Sequence, residues 1–332
     1  MMTGTKMPES EPDGPTSVCF LMVTGFALMA YASAVEPLRA ANRLAGRTLY
    51  TWTHATPDGA PARSSCGLAI EPTVPVGADG GIDWLSVIAA GEGASLDDAG
   101  VFGWLRKLSL RGVRLGGVSG GPFVLARAGV LNGYRCTVHW DHHAAFLERF
   151  PELDITRSLF EIDRGRFTCA GGIAGLDMLH AMIAEAHGRA LASEVSDWFL
   201  STQVRAGSRP QRLEIAARYG IGDGKLIAVL SRMEECIEEP VPREDLADLA
   251  GVSMRQLERL FRSKLGYTIK EHYLRLRLDR ARALLTETSL PVSEVALACG
   301  FVSPSHFADA FRRRYAVSPT EARGGFVIDT GR

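Results

Sequence analysis

Two copies of one short pattern near the C-terminus constrain this chain more than any other feature. The first runs Leu246-Ala247-Asp248-Leu249-Ala250-Gly251-Val252-Ser253, and the second Val295-Ala296-Leu297-Ala298-Cys299-Gly300-Phe301-Val302-Ser303. In each, an apolar residue and Ala are followed by Gly and then Ser. Gly suits the turn between two helices, and each Ser is placed to cap the helix that follows. Leu257 and Phe261 follow the first Ser, Phe307 and Phe311 the second, all at the spacing of an inward helical face. The pattern predicts a tandem helix-turn-helix, an arrangement that lays two helices into DNA grooves.

The charge distribution agrees. The 332 residues carry a net charge of −1. Residues Gly251 to Arg323, however, hold 13 Lys/Arg against 7 Asp/Glu, which leaves the rest of the chain mildly acidic. A basic module on an acidic body suits local attraction to phosphate. With 46% of the residues hydrophobic, the chain is long enough for roughly two domains.

The 6 cysteines are Cys19, Cys66, Cys136, Cys169, Cys236 and Cys299, and no pair has CxxC spacing. Neither a zinc site nor a redox pair is indicated. Residues 18 to 35 are apolar, but one Lys and three acidic residues precede them, the wrong flank for a signal peptide. A buried strand followed by a buried helix is expected there, with no membrane span and a cytoplasmic location.

Along the chain, residues 1 to 16 are polar and rich in Pro and Gly and read as a disordered tail. Strands are expected at Val18–Val23, Leu49–His54, Ser86–Ala90, Arg114–Val118 and Phe167–Ala170. Helices are expected at Phe26–Leu44, Val101–Arg111, Pro122–Ala128 and Leu176–Ala186, the last ending near a Gly188 break. Alternating strands and helices imply a parallel sheet covered on both faces. Residues 206 to 226, with Arg209-Pro210, Gly220, Gly222 and Gly224, read as a linker. Everything beyond reads helical: Lys225–Glu238, Arg243–Ala250, Ser253–Lys264, Ile269–Glu287, Val292–Ala298 and Pro304–Tyr315. Residues 326 to 332 form a tail. The expected domains are 17–205 and 227–325.

On the first reading helix, Ser253 is the cap, and Arg255, Gln256 and Arg259 face outward. Arg pairs with guanine and Gln with adenine through two hydrogen bonds each. On the second, Ser303 is the cap, and Ser305, His306, Asp309, Arg312 and Arg313 face outward. Arg262, Lys264 and Arg313 suit phosphate contacts, which position without specifying. The helix from Ile269 to Glu287 separates the two readers and carries Arg275, Arg277, Arg280 and Arg282, some of them expected to face solvent or phosphate. The two readers should meet successive major grooves about 34 Å apart.

Residues 228 to 325 resemble the AraC/XylS family of bacterial transcription regulators. The resemblance rests on Arg277-Leu278-Asp279-Arg280-Ala281-Arg282-Ala283-Leu284-Leu285, Val295-Ala296, Gly300-Phe301, Phe307, Phe311-Arg312 and Ser318-Pro319.

In the N-terminal half, Gly117-Val118-Ser119-Gly120-Gly121 fits a nucleophile elbow, a sharp strand-to-helix turn that lifts a side chain to the top of a sheet. A hydrolase would need a base, for which His139, His142 and His143 are candidates with Asp141 beside them. The three histidines do not suggest a metal site, since adjacent side chains diverge. The site should lie at the carboxyl ends of the strands. Glu36, Ser119, Gly120, His139, Trp140, Asp141 and Gly171 are the expected ligand-binding residues. Backbone amides at the helix start would hold a carboxylate, and Trp140 with Glu36 or Asp141 a cationic amine.

This half resembles the DJ-1/PfpI class, within the class I glutamine-amidotransferase-like superfamily. The resemblance rests on the elbow, Glu36-Pro37-Leu38-Arg39, Thr137-Val138-His139-Trp140 and Cys169-Ala170-Gly171-Gly172-Ile173-Ala174-Gly175-Leu176-Asp177. Joined to the C-terminal module, the whole resembles the GlxA-type regulators, a group that includes regulators of arginine, carnitine and glycine-betaine metabolism. The resemblance implies a flavodoxin-like α/β domain followed by an all-α tandem helix-turn-helix. In that superfamily the elbow residue is Cys with a Glu from the first helix leaning on it. Here Ser119 stands at the elbow, and Glu36 lies in the corresponding helix. Losing the readily ionised thiol favours a site kept for binding over catalysis.

The expectation is a DNA-binding transcription regulator, an activator by resemblance, without catalytic residues, cofactor or metal. Its partners would be double-stranded promoter DNA, a small-molecule effector such as an amino acid or a betaine- or carnitine-like amine, RNA polymerase, and a second copy of itself in a homodimer. The alternatives are a Ser hydrolase or amidase fused to a DNA-binding module, and a constitutive DNA-binding protein whose first domain serves only assembly.

Overall fold

In the computed structural model, the described residues are 14–78, 80–91, 96–211, 215–287 and 290–323. The tail expected at 326–332 and most of that at 1–16 lie outside them. The chain divides into two compact units, Met1–Arg209 and Pro210–Arg332.

The first unit is built on a central sheet. Its elements are β1 (Thr16–Met22), α1 (Leu28–Ala45), β2 (Tyr50–Ala55), β3 (Ala62–Arg63), β4 (Ala69–Ile70), β5 (Trp84–Ala89), α2 (Ala99–Leu110), β6 (Arg114–Ser119) and α3 (Gly121–Arg127). They continue with β7 (Arg135–Thr137), α4 (His143–Arg149), β8 (Asp154–Thr156), β9 (Phe160–Asp163), β10 (Arg166–Cys169), α5 (Ala174–His187) and α6 (Arg189–Trp198). The main sheet has the order β2-β1-β5-β6-β10-β9, parallel except for β9, which pairs antiparallel with β10 at the edge.

Period-two alternation on β1 explains the layering. Val18, Phe20 and Met22 point to one face, where α1, α5 and α6 complete a core with Leu38, Met178 and Val195. Cys19 and Leu21 point to the other, where α2 and α3 complete a core with Leu105, Phe123 and Val124. Both faces are buried, which is why this strand reads as an unbroken apolar run. The five expected strands are present, with boundaries shifted by one or two residues. Edge strand β9 and the small pairs β3–β4 and β7–β8 were not expected.

The second unit is helical among its described residues: α7 (Ile215–Tyr219), α8 (Gly224–Glu235), α9 (Arg243–Ala250), α10 (Met254–Leu265), α11 (Ile269–Glu287), α12 (Val292–Ala298), α13 (Pro304–Tyr315) and α14 (Pro319–Arg323). Two cores form in sequence. Leu226, Leu230, Leu246, Leu257 and Phe261 make the first, and Leu278, Leu285, Val295, Phe307 and Phe311 the second. The 206–226 stretch is not a plain linker. It contains α7, and Ile221 is buried in the first core, so its glycines punctuate a short packed element. No helix among the described residues is long and apolar enough to cross a membrane.

Candidate nucleic-acid interface and elbow site

The two reading helices start as their caps require. Ser253 Oγ accepts from the Gln256 amide at 3.3 Å, and Gln256 Oε1 accepts from the Ser253 amide at 3.0 Å, a closed capping box. Ser303 Oγ accepts from the His306 amide at 3.3 Å, and Pro304 follows where no amide hydrogen is needed. On α10, Leu257 and Phe261 face the core while Arg255, Gln256, Arg259 and Arg262 are exposed. On α13, Phe307 and Phe311 face the core while Ser305, His306, Asp309, Arg312 and Arg313 are exposed. Each helix thus presents a polar face along its whole length. Gln256 differs from expectation in one respect: its amide oxygen is committed to the cap, leaving only the NH₂ group to donate.

Of the arginines of α11, Arg282 is exposed, as expected of some of them, while Arg277 is turned to a structural task. Arg277 donates to Cys299 O and Gly300 O, both at 2.7 Å, and stacks over Phe301 at 4.1 Å. It therefore locks the long helix onto the turn of the second repeat. Arg275 stacks over Tyr267 and Arg282 over Tyr315. Asp279 accepts from Arg314 at 2.6 Å and from Tyr315 at 2.5 Å, tying the end of α13 to the same helix. Sequence alone missed this scaffold, since the partners of Arg277, Asp279 and Arg282 lie more than twenty residues away.

In the first unit, Ser119 ends β6 with φ +60° and is buried, in the left-handed region that β-carbon sterics disfavour. This is the strained elbow that the glycine pattern announced. Gly171 stands against it, since a Cβ there would lie 2.7 Å from that of Ser119. Among the described residues the Ser119 hydroxyl makes no hydrogen bond, so no base is engaged with it. The Gly120 amide donates to Ala89 O at 2.9 Å. Pro122 has no amide hydrogen, and α3 has only 7 residues. The expected amide cradle for a carboxylate is accordingly thin.

The His139 amide donates to Ser119 O at 3.5 Å, which brings the Thr137–Asp141 loop to the elbow. His139 Nδ1 accepts from the Asp141 amide at 3.3 Å. Burial, with His142 nearby, lowers the His139 pKa to about 4, so the ring is neutral near pH 7. Trp140 is 44% exposed, beside an exposed Asp141. His142 turns inward against Phe123. Among the described residues no group of His, Cys, Asp and Glu is arranged to hold a metal ion.

Glu36 departs from the expected arrangement. It pairs with Arg39 at 2.6 Å on a half-exposed side of α1, and no hydrogen bond or ion pair joins it to Ser119. Ser33 of α1 is buried against the start of α5. A Cβ on Gly175, at the start of α5, would meet Ser33 Oγ at 2.3 Å.

A helix-turn-helix domain family model matches residues 246–325. The transcriptional regulator CdhR of Pseudomonas aeruginosa is 44% identical over 310 residues, 92% of this chain and 90% of that protein. The regulator GlxA of Rhizobium meliloti is 45% identical over 305 residues, 92% of this chain and 94% of that protein. Among solved structures, an AraC family transcriptional regulator from Pseudomonas putida is 27% identical, with a TM-score of 0.50 over 56% of this chain and 100% of that one. A ThiJ/PfpI family protein from Pseudomonas syringae shares the fold at 23% identity, with a TM-score of 0.50 over 74% of this chain and 97% of that one.

A DJ-1/PfpI-like α/β unit followed by a tandem helix-turn-helix unit defines a DNA-binding transcription regulator. The relatives named here are transcriptional regulators, and so is this protein. The chain belongs to the GlxA-type, AraC-family transcriptional regulators.

Proposed function

We propose that this regulator answers to a small zwitterionic metabolite, an amino acid or a betaine- or carnitine-like quaternary amine, bound beside the elbow. The observation that carries the reading is Ser119: a strained, buried residue whose hydroxyl has no hydrogen-bond partner among the described residues, at the carboxyl end of a central strand, next to a loop presenting Trp140 and Asp141. A Ser–His hydrolase would hold a base on that hydroxyl. A binding site needs only the hydroxyl, an exposed indole face and a carboxylate, which together suit a ligand with an acceptor at one end and a cation at the other. Gly171, Gly120 and His139 shape the pocket. Glu36, paired with Arg39, stands apart.

The site has a route to the rest of the chain. Gly171 touches Ser119 and leads into α5. Asp177, in the first turn of α5 and buried, accepts from the Arg205 amide at 2.8 Å and from its guanidinium at 3.0 and 2.6 Å. The Leu159 amide donates to Gly207 O at 2.8 Å and Arg209 O at 3.1 Å. The last residues of the first unit are thus held at Arg205 by the helix whose start adjoins the elbow, and at Gly207 and Arg209 by Leu159. A ligand biases the DNA-binding state only by its unequal affinity for two arrangements of this clasp.

In this reading residues 17–205 sense the effector and dimerise, and 227–325 bind promoter DNA. Arg255, Arg259, Ser305 and His306 contact bases. The NH₂ group of Gln256 reaches a base acceptor. Ser253, Ser303, Arg262, Arg312 and Arg313 contact phosphate. The homodimer activates transcription through RNA polymerase in the cytoplasm.

The test is calorimetry of the full-length protein, native and Ser119→Ala, against amino acids and methylated amines, with promoter-fragment affinity measured alongside. One compound should bind, and should shift DNA affinity. A panel without binding, or binding that leaves DNA affinity unchanged, would reject the sensor in favour of constitutive DNA binding.

A further inference from the structure

Counted from their caps, the two reading helices are in register, and one pair of positions is opposite in charge. Arg255 corresponds to Ser305, Gln256 to His306, Arg259 to Asp309 and Arg262 to Arg312, each the same number of residues after Ser253 or Ser303. Asp309 is exposed on the face shared with Ser305, His306 and Arg312. Among the described residues it has no ion-pair or hydrogen-bond partner, although Arg312 and Arg313 follow within one turn.

A free carboxylate on a face that approaches phosphates weakens binding to every sequence unless the groove supplies a donor for it. In the major groove the exocyclic amines are N4 of cytosine and N6 of adenine. Adenine sets N7, an acceptor, beside its amine, whereas cytosine shows no acceptor there. Arg259, at the equivalent place on α10, has the opposite preference, for the paired acceptors O6 and N7 of guanine.

We propose that Asp309 is a specificity residue that requires cytosine at one position of the half-site read by α13, as the counterpart of guanine read by Arg259 on α10. The inference rests on the reading of α10 and α13 as groove-entering helices. The two repeats then demand unlike half-sites, and the operator bound by one protomer has a fixed direction. Asp309 combines attraction for one base with repulsion of the rest, because a carboxylate facing guanine O6 or thymine O4 is left without a donor.

The experiment is selection from a randomised duplex pool at low salt with the full-length protein, native, Asp309→Asn and Asp309→Arg, followed by affinity measurement on the selected duplex and its single-base variants. The position is exposed, so circular dichroism of the variants should match the native protein. The native protein should enrich cytosine at one position in a fixed relation to a guanine selected through Arg259. Replacing that cytosine should weaken native binding on the order of tenfold or more. Asp309→Asn should flatten preference there and nowhere else, and Asp309→Arg should move it to guanine. If Asp309→Asn instead tightens binding equally on selected and random duplexes with preference intact, the carboxylate only repels phosphate and the inference fails. If the native protein selects no sequence, the groove-reading assignment fails with it.

Discussion

Gly251 and Gly300 hold the same place in the two repeats, with φ of +60° and +74°, yet their surroundings differ. A Cβ on Gly251 meets nothing within 4 Å. On Gly300 it would lie 2.8 Å from both Ile237 O and Glu238 O and 2.9 Å from Pro240 Cδ. Gly251→Ala therefore bears only the left-handed backbone cost, about 1–2 kcal/mol. Gly300→Ala bears that cost and a clash with two backbone oxygens. Carbon and oxygen approach to about 3.3 Å in the tightest backbone contacts. The turn or the 237–240 segment must therefore move, at about 1–3 kcal/mol more. The expected losses are about 1–2 kcal/mol for Gly251→Ala and about 2–5 kcal/mol for Gly300→Ala. The sequence offers a clean readout. All 5 tryptophans, Trp52, Trp84, Trp104, Trp140 and Trp198, lie in the first unit. Urea unfolding followed by far-ultraviolet circular dichroism should show the second unit weakened, while tryptophan fluorescence reports a first unit that has not changed. Equal losses in the two variants would refute the argument that the second turn is seated on the 237–240 segment.

Two further perturbations probe the helical unit. Arg277→Lys keeps the charge but loses the fork that spans Cys299 O and Gly300 O and the stack on Phe301. It should cost about 1–3 kcal/mol by urea unfolding and weaken the footprint of one half-site more than the other. A loss below about 0.5 kcal/mol, the range of ordinary surface substitutions, would assign Arg277 to the surface. His272 is buried among Tyr219 and Phe261, and burial lowers its pKa from 6.5 to about 4. The unfolded chain takes up this proton first as pH falls, so the stabilising effect is complete above about pH 6.5 and declines as pH drops to about 4, by about 3 kcal/mol. The pH profile of His272→Gln should be flatter than the native profile over that window, and parallel profiles would show that His272 titrates alike in both states.

What was legible in the sequence follows from the range of the interactions involved. The central strands β1 and β5 announced themselves because both sheet faces are buried there, so that they are apolar at nearly every position. The caps at Ser253 and Ser303 depend on residues three apart and were readable directly. The elbow was readable because Gly117-Val118-Ser119-Gly120-Gly121 falls between an expected strand and an expected helix, the context that such a turn requires. Edge strand β9 was not, since its alternation, Phe160-Glu161-Ile162-Asp163, runs for only four residues at the lower limit of a strand pattern. The glycines around Ile221 signalled a loop, but only the core formed by Leu226 and Leu230 makes Ile221 a packed residue.

Glu36 and Arg277 show the same limit from two directions. The helix carrying Glu36 was placed correctly, but helical spacing does not say which side of a buried helix meets a turn more than eighty residues away. Arg39, one turn along, is a closer and better solvated partner for the carboxylate than a serine hydroxyl. Arg277 is one of four arginines on α11 of which some were expected to face solvent or phosphate, and charge alone gave no means to separate them. The aromatic side chain two residues after the turn cysteine separates them: Phe301 offers a flat face that a guanidinium covers while its hydrogens reach two orphan carbonyls at the end of α12. An arginine one helix away and an aromatic residue just past a helix C-terminus is thus a pairing that sequence can suggest once the turn itself is recognised. In this chain, that pairing holds the second reading helix in place.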